Sequence, residues 1–224
     1  MRSMQNSVLL IDKPAKMTSF GVVARVRRVL SQQTGYKVKV GHCVTLDPFA
    51  TGLMIIVTGV ECKNAGTYTK LDKVYETTIR LGATSTTGDP EGEVTELEKG
   101  EVKKLERVVI EDALAKFTGE ITQTPPIYSA IKINGQRAYN LARKGHDIEM
   151  PSRQVTVYSL ELLDYTWPYL QIRTHVSSGT YIRSLAADIG AVLGTGAYCT
   201  QLRRTKIADW DVAGAKTLED FGVQ

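Results

Sequence analysis

Most of this chain reads as strand following strand, with few helices between. Residues 7–12, 37–41, 53–58, 74–81, 127–133, 155–165, 170–177 and 197–207 each carry the branched, alternating or continuously apolar pattern of a strand. Helical spacing appears only after Thr18 or Ser19, across 108–117, across 136–144 and across 180–193. Strands that arrive as neighbours pair antiparallel more readily than strands separated by helices. The expectation is therefore an α+β fold with a large mixed, mainly antiparallel sheet flanked by helices and loops. The 224 residues show no repeat, low-complexity segment or linker, so one domain over 1–224 is expected.

The best-defined elements rest on periodicity. Tyr75, Thr77, Ile79 and Leu81 alternate with Val74, Glu76, Thr78 and Arg80, which is the two-residue period of a half-buried strand. Val22, Val23, Val26, Val29 and Leu30 repeat at helical spacing behind a Thr-Ser cap, with Arg25, Arg27 and Arg28 elsewhere on the helix. Asn134-Gly135 predicts a tight turn, and Trp167-Pro168 a turn between two paired strands.

Several function classes drop out. The first apolar run, residues 8–11, is too short for a signal-peptide core or a membrane span, so a cytoplasmic protein is expected. Cys43, Cys62 and Cys199 are odd in number and scattered, which argues against a disulfide framework or a structural zinc site. Neither a dinucleotide fingerprint nor a P-loop occurs. Charge is uneven: residues 1–70 hold ten Lys or Arg against three Asp or Glu, residues 71–120 seven against twelve, and residues 121–206 ten against five. Should the basic segments meet, they form the electrostatic footprint of a nucleic-acid binder; a solvated surface accounts for the same numbers.

Chemistry concentrates at residues 41–52, Gly-His-Cys-Val-Thr-Leu-Asp-Pro-Phe-Ala-Thr-Gly, a loop between two strands. Asp47 is its only acid. A carboxylate on a loop held by buried strands serves as nucleophile, general base or turn-former, and Asp before Pro is also an ordinary turn dipeptide.

That loop resembles the G-H-x-x-x-L-D-P-x-A-T-G motif of the TruB-type tRNA pseudouridine synthases. Five further segments resemble the family: Leu9-Leu10-Ile11-Asp12-Lys13-Pro14, Lys73-Val74-Tyr75-Glu76, the run from Gln123-Thr124-Pro125-Pro126 to Asn134-Gly135, Ser178-Gly179-Thr180-Tyr181-Ile182-Arg183, and Leu202-Arg203-Arg204. The resemblance implies the pseudouridine synthase fold. It also implies conversion of uridine to pseudouridine at position 55, in the T arm of tRNA. That reaction breaks the N1–C1′ bond, turns the base and rejoins it through C5. No electrons are exchanged, so no cofactor or metal is expected. The resemblance makes Asp47 the nucleophile on a flipped-out uridine, or the carboxylate that stabilises the sugar cation as the bond opens, and Arg183 the cation that keeps it ionised. It makes Tyr75 the ring stacked on the uracil, with a phenol suited to removing the C5 proton. Tyr181 and Leu202 are expected to line the base pocket, His42 to touch the RNA loop, and Lys13 to be a substrate contact or a structural group.

Residues 130–146 hold Lys132, Arg137, Arg143, Lys144 and His146 with no acid. The resemblance makes this basic insertion, around 125–150, the grip on the RNA backbone, supplying affinity more than sequence choice. The partner expected is tRNA, with no membrane, and the protein is expected to be a monomer. Two departures stand out. The family's usual Gly-His-Thr-Gly is Gly-His-Cys-Val here, and Val44 cannot take the positive φ open to glycine. No C-terminal PUA-type domain is expected in a chain ending near Phe221. A catalytically silent tRNA-binding relative and a pseudouridine synthase acting on another RNA are the alternative readings.

Overall fold

The computed structural model describes residues 6–97, 104–133, 135–145 and 148–223. The chain divides into two compact units, Met1–Glu76 with Leu202–Gln224, and Thr77–Gln201. Strands β4 (Lys73–Leu81) and β12 (Ala197–Ile207) each supply residues to both.

The first unit grows from its apolar strand. β1 (Val8–Lys13) leads to helix α1 (Ser19–Thr34), then to β2 (Val40–His42) and β3 (Thr51–Thr58). Every residue of β3 after Thr51 is buried, as a continuous apolar run requires. β1 pairs antiparallel along β3 from Val8 opposite Val57 to Lys13 opposite Gly52. β2 pairs antiparallel with β3 at 56–58, and β12 pairs parallel with it at Thr51 and Gly52. On one face Leu53, Ile55 and Val57 pack with Cys43 and Ile207, against Tyr68 and Trp210. The short helix α2 (Ala65–Thr69) and a 3-10 turn precede β4.

α1 forms where its valines predict. Val22, Val23, Val26 and Leu30 are buried, Thr18 Oγ1 accepts from the Gly21 N–H at 2.9 Å, and Gly35 ends the helix in the left-handed region. Thr18 is thus the cap, while the Ser19 side chain is used elsewhere.

In the second unit, β5 (Ala83–Ser85) pairs with β6 (Val94–Glu96), followed by α3 (Arg107–Ala115) and β7 (Gly119–Gln123). A two-residue hairpin, β8 (Lys132–Ile133) and β9 (Gln136–Arg137), runs into α4 (Ala138–Arg143). The long hairpin β10 (Arg153–Thr166) and β11 (Tyr169–Val176) turns at Trp167-Pro168, a cis peptide, and β10 pairs antiparallel with β7. α5 (Ile182–Val192) follows, and after β12 comes the short β13 (Trp210–Asp211), which belongs to the first unit. The sheet order β12-β4-β11-β10-β7, with β3 parallel to β12 and the pairs β1–β3, β2–β3, β10–β11, β10–β7 and β12–β13 antiparallel, gives the mixed α+β sheet expected.

Some boundaries differ from those expected. The strand over 37–41 forms at 40–42, and that over 127–133 shrinks to Lys132–Ile133, because residues 127–130 bend and the Ser129 N–H turns back onto the Ile127 carbonyl at 2.9 Å. β7 carries Gly, Glu and Thr with a single large apolar residue, too little pattern to mark a strand. Asn134 and His146 lie outside the described residues.

Gly52 has φ +107, and a Cβ there would lie 2.3 Å from the Arg204 carbonyl oxygen. Replacing Gly52 by Ala must therefore separate β3 from β12 as well as strain the backbone. Gly52→Ala should lose at least about 2 kcal/mol of unfolding free energy. A denaturant midpoint like that of the wild type would show that the strands part without cost.

Candidate active site

Asp47 lies half-buried on the loop joining β2 to β3, where the Ala50 N–H closes a turn onto the Asp47 carbonyl at 3.2 Å. Its neighbours Leu46 and Ala50 are buried. Three polar side chains beneath the loop hold its backbone. Ser19 Oγ accepts from the Leu46 N–H and donates to the Leu46 carbonyl, both at 2.8 Å. Lys13, with no exposed surface, donates from Nζ to the carbonyls of Pro14 at 2.8 Å, Met17 at 2.7 Å and Pro48 at 3.1 Å. Arg204, equally buried, donates to Leu53 at 2.8 Å, Val44 at 3.3 Å and Thr45 at 3.5 Å. The loop thus turns carbonyls inward onto two cations, an arrangement that compensates buried charge with oriented dipoles.

The Cys43-Val44 departure now has a local account. Among the described residues only Lys16 and Ala208 are non-glycine positions with positive φ, so Val44 is unstrained, and its carbonyl is one of those Arg204 holds. Cys43 is buried against β3, and burial, the largest cause, pushes its thiol up to about 11. It is inert at neutral pH. His42 ends β2 and is half-buried.

Tyr75 and Leu202 are each 7% exposed, so only an edge of either is open to a ligand. Lys73 shares the buried face of β4 with Tyr75 and donates to the carbonyls of Thr69 and Leu71. Burial first, then the nearby Arg204 charge, lowers its pKa to about 8. Arg203, beside Leu202, forms a two-point contact with Asp12, Nη1 to Oδ1 at 3.1 Å and Nη2 to Oδ2 at 2.7 Å.

In the second unit Arg183 opens α5 and is buried. Its guanidinium donates to the carbonyls of Thr87 at 2.7 Å and Tyr128 at 2.9 Å, and Nη1 lies 3.2 Å from Asp89 Oδ2. Asp89 is buried too, and its Oδ1 accepts from Thr87 Oγ1 and the Glu91 N–H. Tyr181 is placed through its backbone: buried Gln123 accepts from the Tyr181 N–H at 2.7 Å and donates to its carbonyl at 3.1 Å. The Arg153 guanidinium lies 5.1 Å from the Tyr181 ring centroid. Lys132, Arg137, Arg143 and Lys144 sit on the β8–β9 hairpin and at α4 and its end; all four are exposed, and the Arg143 guanidinium lies over the Tyr139 ring.

Lys13, expected as a substrate contact or a structural group, has its ammonium committed to three carbonyls. The sequence does not single out Asp89 or Arg153, and marks Gln123 and Arg204 only as parts of motifs. Among the described residues no three His, Cys, Asp or Glu are grouped to hold a metal ion, and no helix is long and apolar enough to cross a membrane.

Residues 27–182 match the family model of the N-terminal domain of TruB family pseudouridylate synthases, and residues 183–223 that of the tRNA pseudouridylate synthase B C-terminal domain. The tRNA pseudouridine synthase B of Phocaeicola vulgatus is 43% identical over 97% of this chain and 92% of its own length. That of Azoarcus sp. is 44% identical over 97% of this chain and 70% of its own length. Among solved structures, a chain from a Cbf5-Nop10-Gar1 complex superposes with a TM-score of 0.75 at 27% identity, over 97% of this chain and 54% of that one. This chain spans about half of that solved chain.

Two outcomes follow from the buried charges. Asp89→Asn removes a buried carboxylate beside the Arg183 guanidinium and should cost about 3–5 kcal/mol in equilibrium unfolding; a loss below about 1 kcal/mol would show that the guanidinium's other contacts suffice. Lys73 has a lower pKa folded than unfolded, so between about pH 8 and 10.5 the unfolded state binds the extra proton and stability rises with pH. The unfolding free energy of the wild type relative to Lys73→Met should therefore climb across that window. A flat difference would show that Lys73 is solvated.

Proposed function

The chain belongs to the TruB family of pseudouridylate synthases, and from that premise we propose that it acts at position 55, in the T arm of tRNA, with Asp47 as its nucleophile. The observation that best supports this reading is the investment in the Asp47 loop. Two fully buried cations and a buried serine fix its backbone, while Asp47 itself stays half-exposed. Positioning a reacting group within a few tenths of an ångström is worth more than any added contact, and it requires support of this kind.

In the proposed reaction the Asp47 carboxylate takes up C1′ as the N1–C1′ bond breaks. The freed base turns, C5 bonds to C1′ as the C1′–Asp47 oxygen bond breaks and the carboxylate is released, and the C5 proton leaves as N1 gains one. Atoms and electrons balance without a cofactor. The ring of Tyr75 stacks on the base and its phenol handles the C5 proton; Tyr181 and Leu202 bound the base, and His42 meets the RNA loop. Arg183 supplies the positive charge that favours an ionised carboxylate. Lys132, Arg137, Arg143 and Lys144 grip phosphates. The protein works as a cytoplasmic monomer.

Asp47→Asn keeps shape and removes charge. It should abolish pseudouridine formation at U55 of an unmodified tRNA transcript, a loss of at least about 10³-fold, and leave the tRNA Kd within about threefold. Turnover at wild-type rate would remove Asp47 from the mechanism.

A further inference from the structure

Residues 13–46 contain seven Lys or Arg and no Asp or Glu. Three of the seven, Arg25, Arg27 and Arg28, crowd into one turn of α1. An isolated helix gains from acids placed three or four residues from its cations, and α1 has none. Among the described residues the ion pairs formed do not include any of the three arginines. Arg25 folds back onto the Gly21 carbonyl at 3.2 Å. Arg27 lies over the ring of Phe20 at 5.8 Å, and that ring is 66% exposed. Arg25 and Arg28, with Gln32, line an open cavity of about 210 Å³ bordered by Val29, Gly222 and Val223.

The helix is also tied to the reacting loop, since its first residue, Ser19, is hydrogen-bonded to Leu46, next to Asp47. At 1.5 Å per residue, Arg25 and Arg28 stand about 9 and 14 Å along the axis from Ser19. Starting from the Asp47 loop, the exposed face of α1 presents an aromatic ring, three guanidinium groups and an amide, with no counter-charge.

We propose that this face is a phosphate track along which the substrate RNA runs as it leaves the Asp47 loop. The Arg25–Arg28–Gln32 cavity takes one backbone phosphate, and Phe20 offers a surface for an unstacked base. The proposal rests on the pseudouridine synthase reading only for the identity of the RNA. The occupant is the phosphodiester backbone, because guanidinium groups without carboxylates match phosphate in charge and in planar two-point geometry.

The test compares wild type, Arg25→Gln/Arg27→Gln/Arg28→Gln and Arg25→Lys/Arg27→Lys/Arg28→Lys. Each binds an unmodified tRNA transcript across a salt series, and pseudouridine is mapped separately. Each phosphate contact contributes about 0.7–0.9 to the log–log slope, so the Gln variant should bind with a slope shallower by about two units. The Lys variant should restore most of that slope, with melting midpoints showing that all three fold. An unchanged slope in a folded Gln variant overturns the track. So does a Gln variant whose melting midpoint falls while its slope holds, since the arginines would then serve the chain's own contacts. If the wild type makes no pseudouridine yet the slopes behave as stated, the activity fails and the RNA surface stands.

Discussion

Arg204 is the interaction on which the first unit depends. Its guanidinium is withdrawn from water and satisfied by three carbonyls at either end of the Asp47 loop, Val44 and Thr45 before the turn and Leu53 after it. Its own backbone lies against Gly52, close enough that no side chain fits between. One residue thus sets the strand spacing and the loop. Hydrogen bonds from a charged donor contribute roughly 1.5–3 kcal/mol each, while a buried guanidinium left unsatisfied costs more than that. The loop is therefore held by the penalty for releasing it, and Lys13 acts in the same way on Pro48.

The second unit repeats the principle with different parts. Arg183 is buried beside Asp89, and its Nη1 and Nη2 reach carbonyls from two separate segments, Thr87 and Tyr128. A buried pair of this kind adds little net stability over an apolar filling, yet it specifies one arrangement, because every alternative strands a charge. Tyr181 follows the same logic through Gln123, whose amide satisfies both backbone groups of the residue that opens α5. Each unit presents its site residues on backbone pinned by buried polar groups, so the rigidity needed for chemistry is supplied without lengthening any helix or strand.

How much of this the sequence disclosed depended on whether burial left a periodic trace. The alternation of β4 appears in the structure residue for residue, and the stripe of α1 does so except at half-buried Val29, since apolar side chains record which way they face. β7 did not, because Gly, Glu, Thr and Gln pair through their backbones and leave no apolar record. The same limit explains the site. Asp47 stood out as the lone acid of a bounded loop, and Arg183 through its motif. Asp89 is one acid in a turn-rich stretch, Lys13 reads as a substrate contact or a structural group, and Arg204 only as part of a motif. A fully buried cation has no hydropathy signature. Its only local signal is position: Lys13 ends an apolar strand, and Arg204 lies on a strand with buried Leu202 and Ile207 on either side.

Charge at the surface and charge in the interior therefore carry opposite meanings in this chain. Lys13, Lys73, Arg183 and Arg204 are buried and answered by carbonyls, with Asp89 added for Arg183. Their cost of desolvation is met within the fold, so they need nothing from outside. Arg25, Arg27 and Arg28 are answered by one carbonyl and one aromatic face. Like charges held within a single helical turn repel one another by a few tenths of a kcal/mol per pair. Folding gives no return on that repulsion. The interior cations explain how the Asp47 loop is held, and the outer ones become favourable only when a polyanion lies along α1.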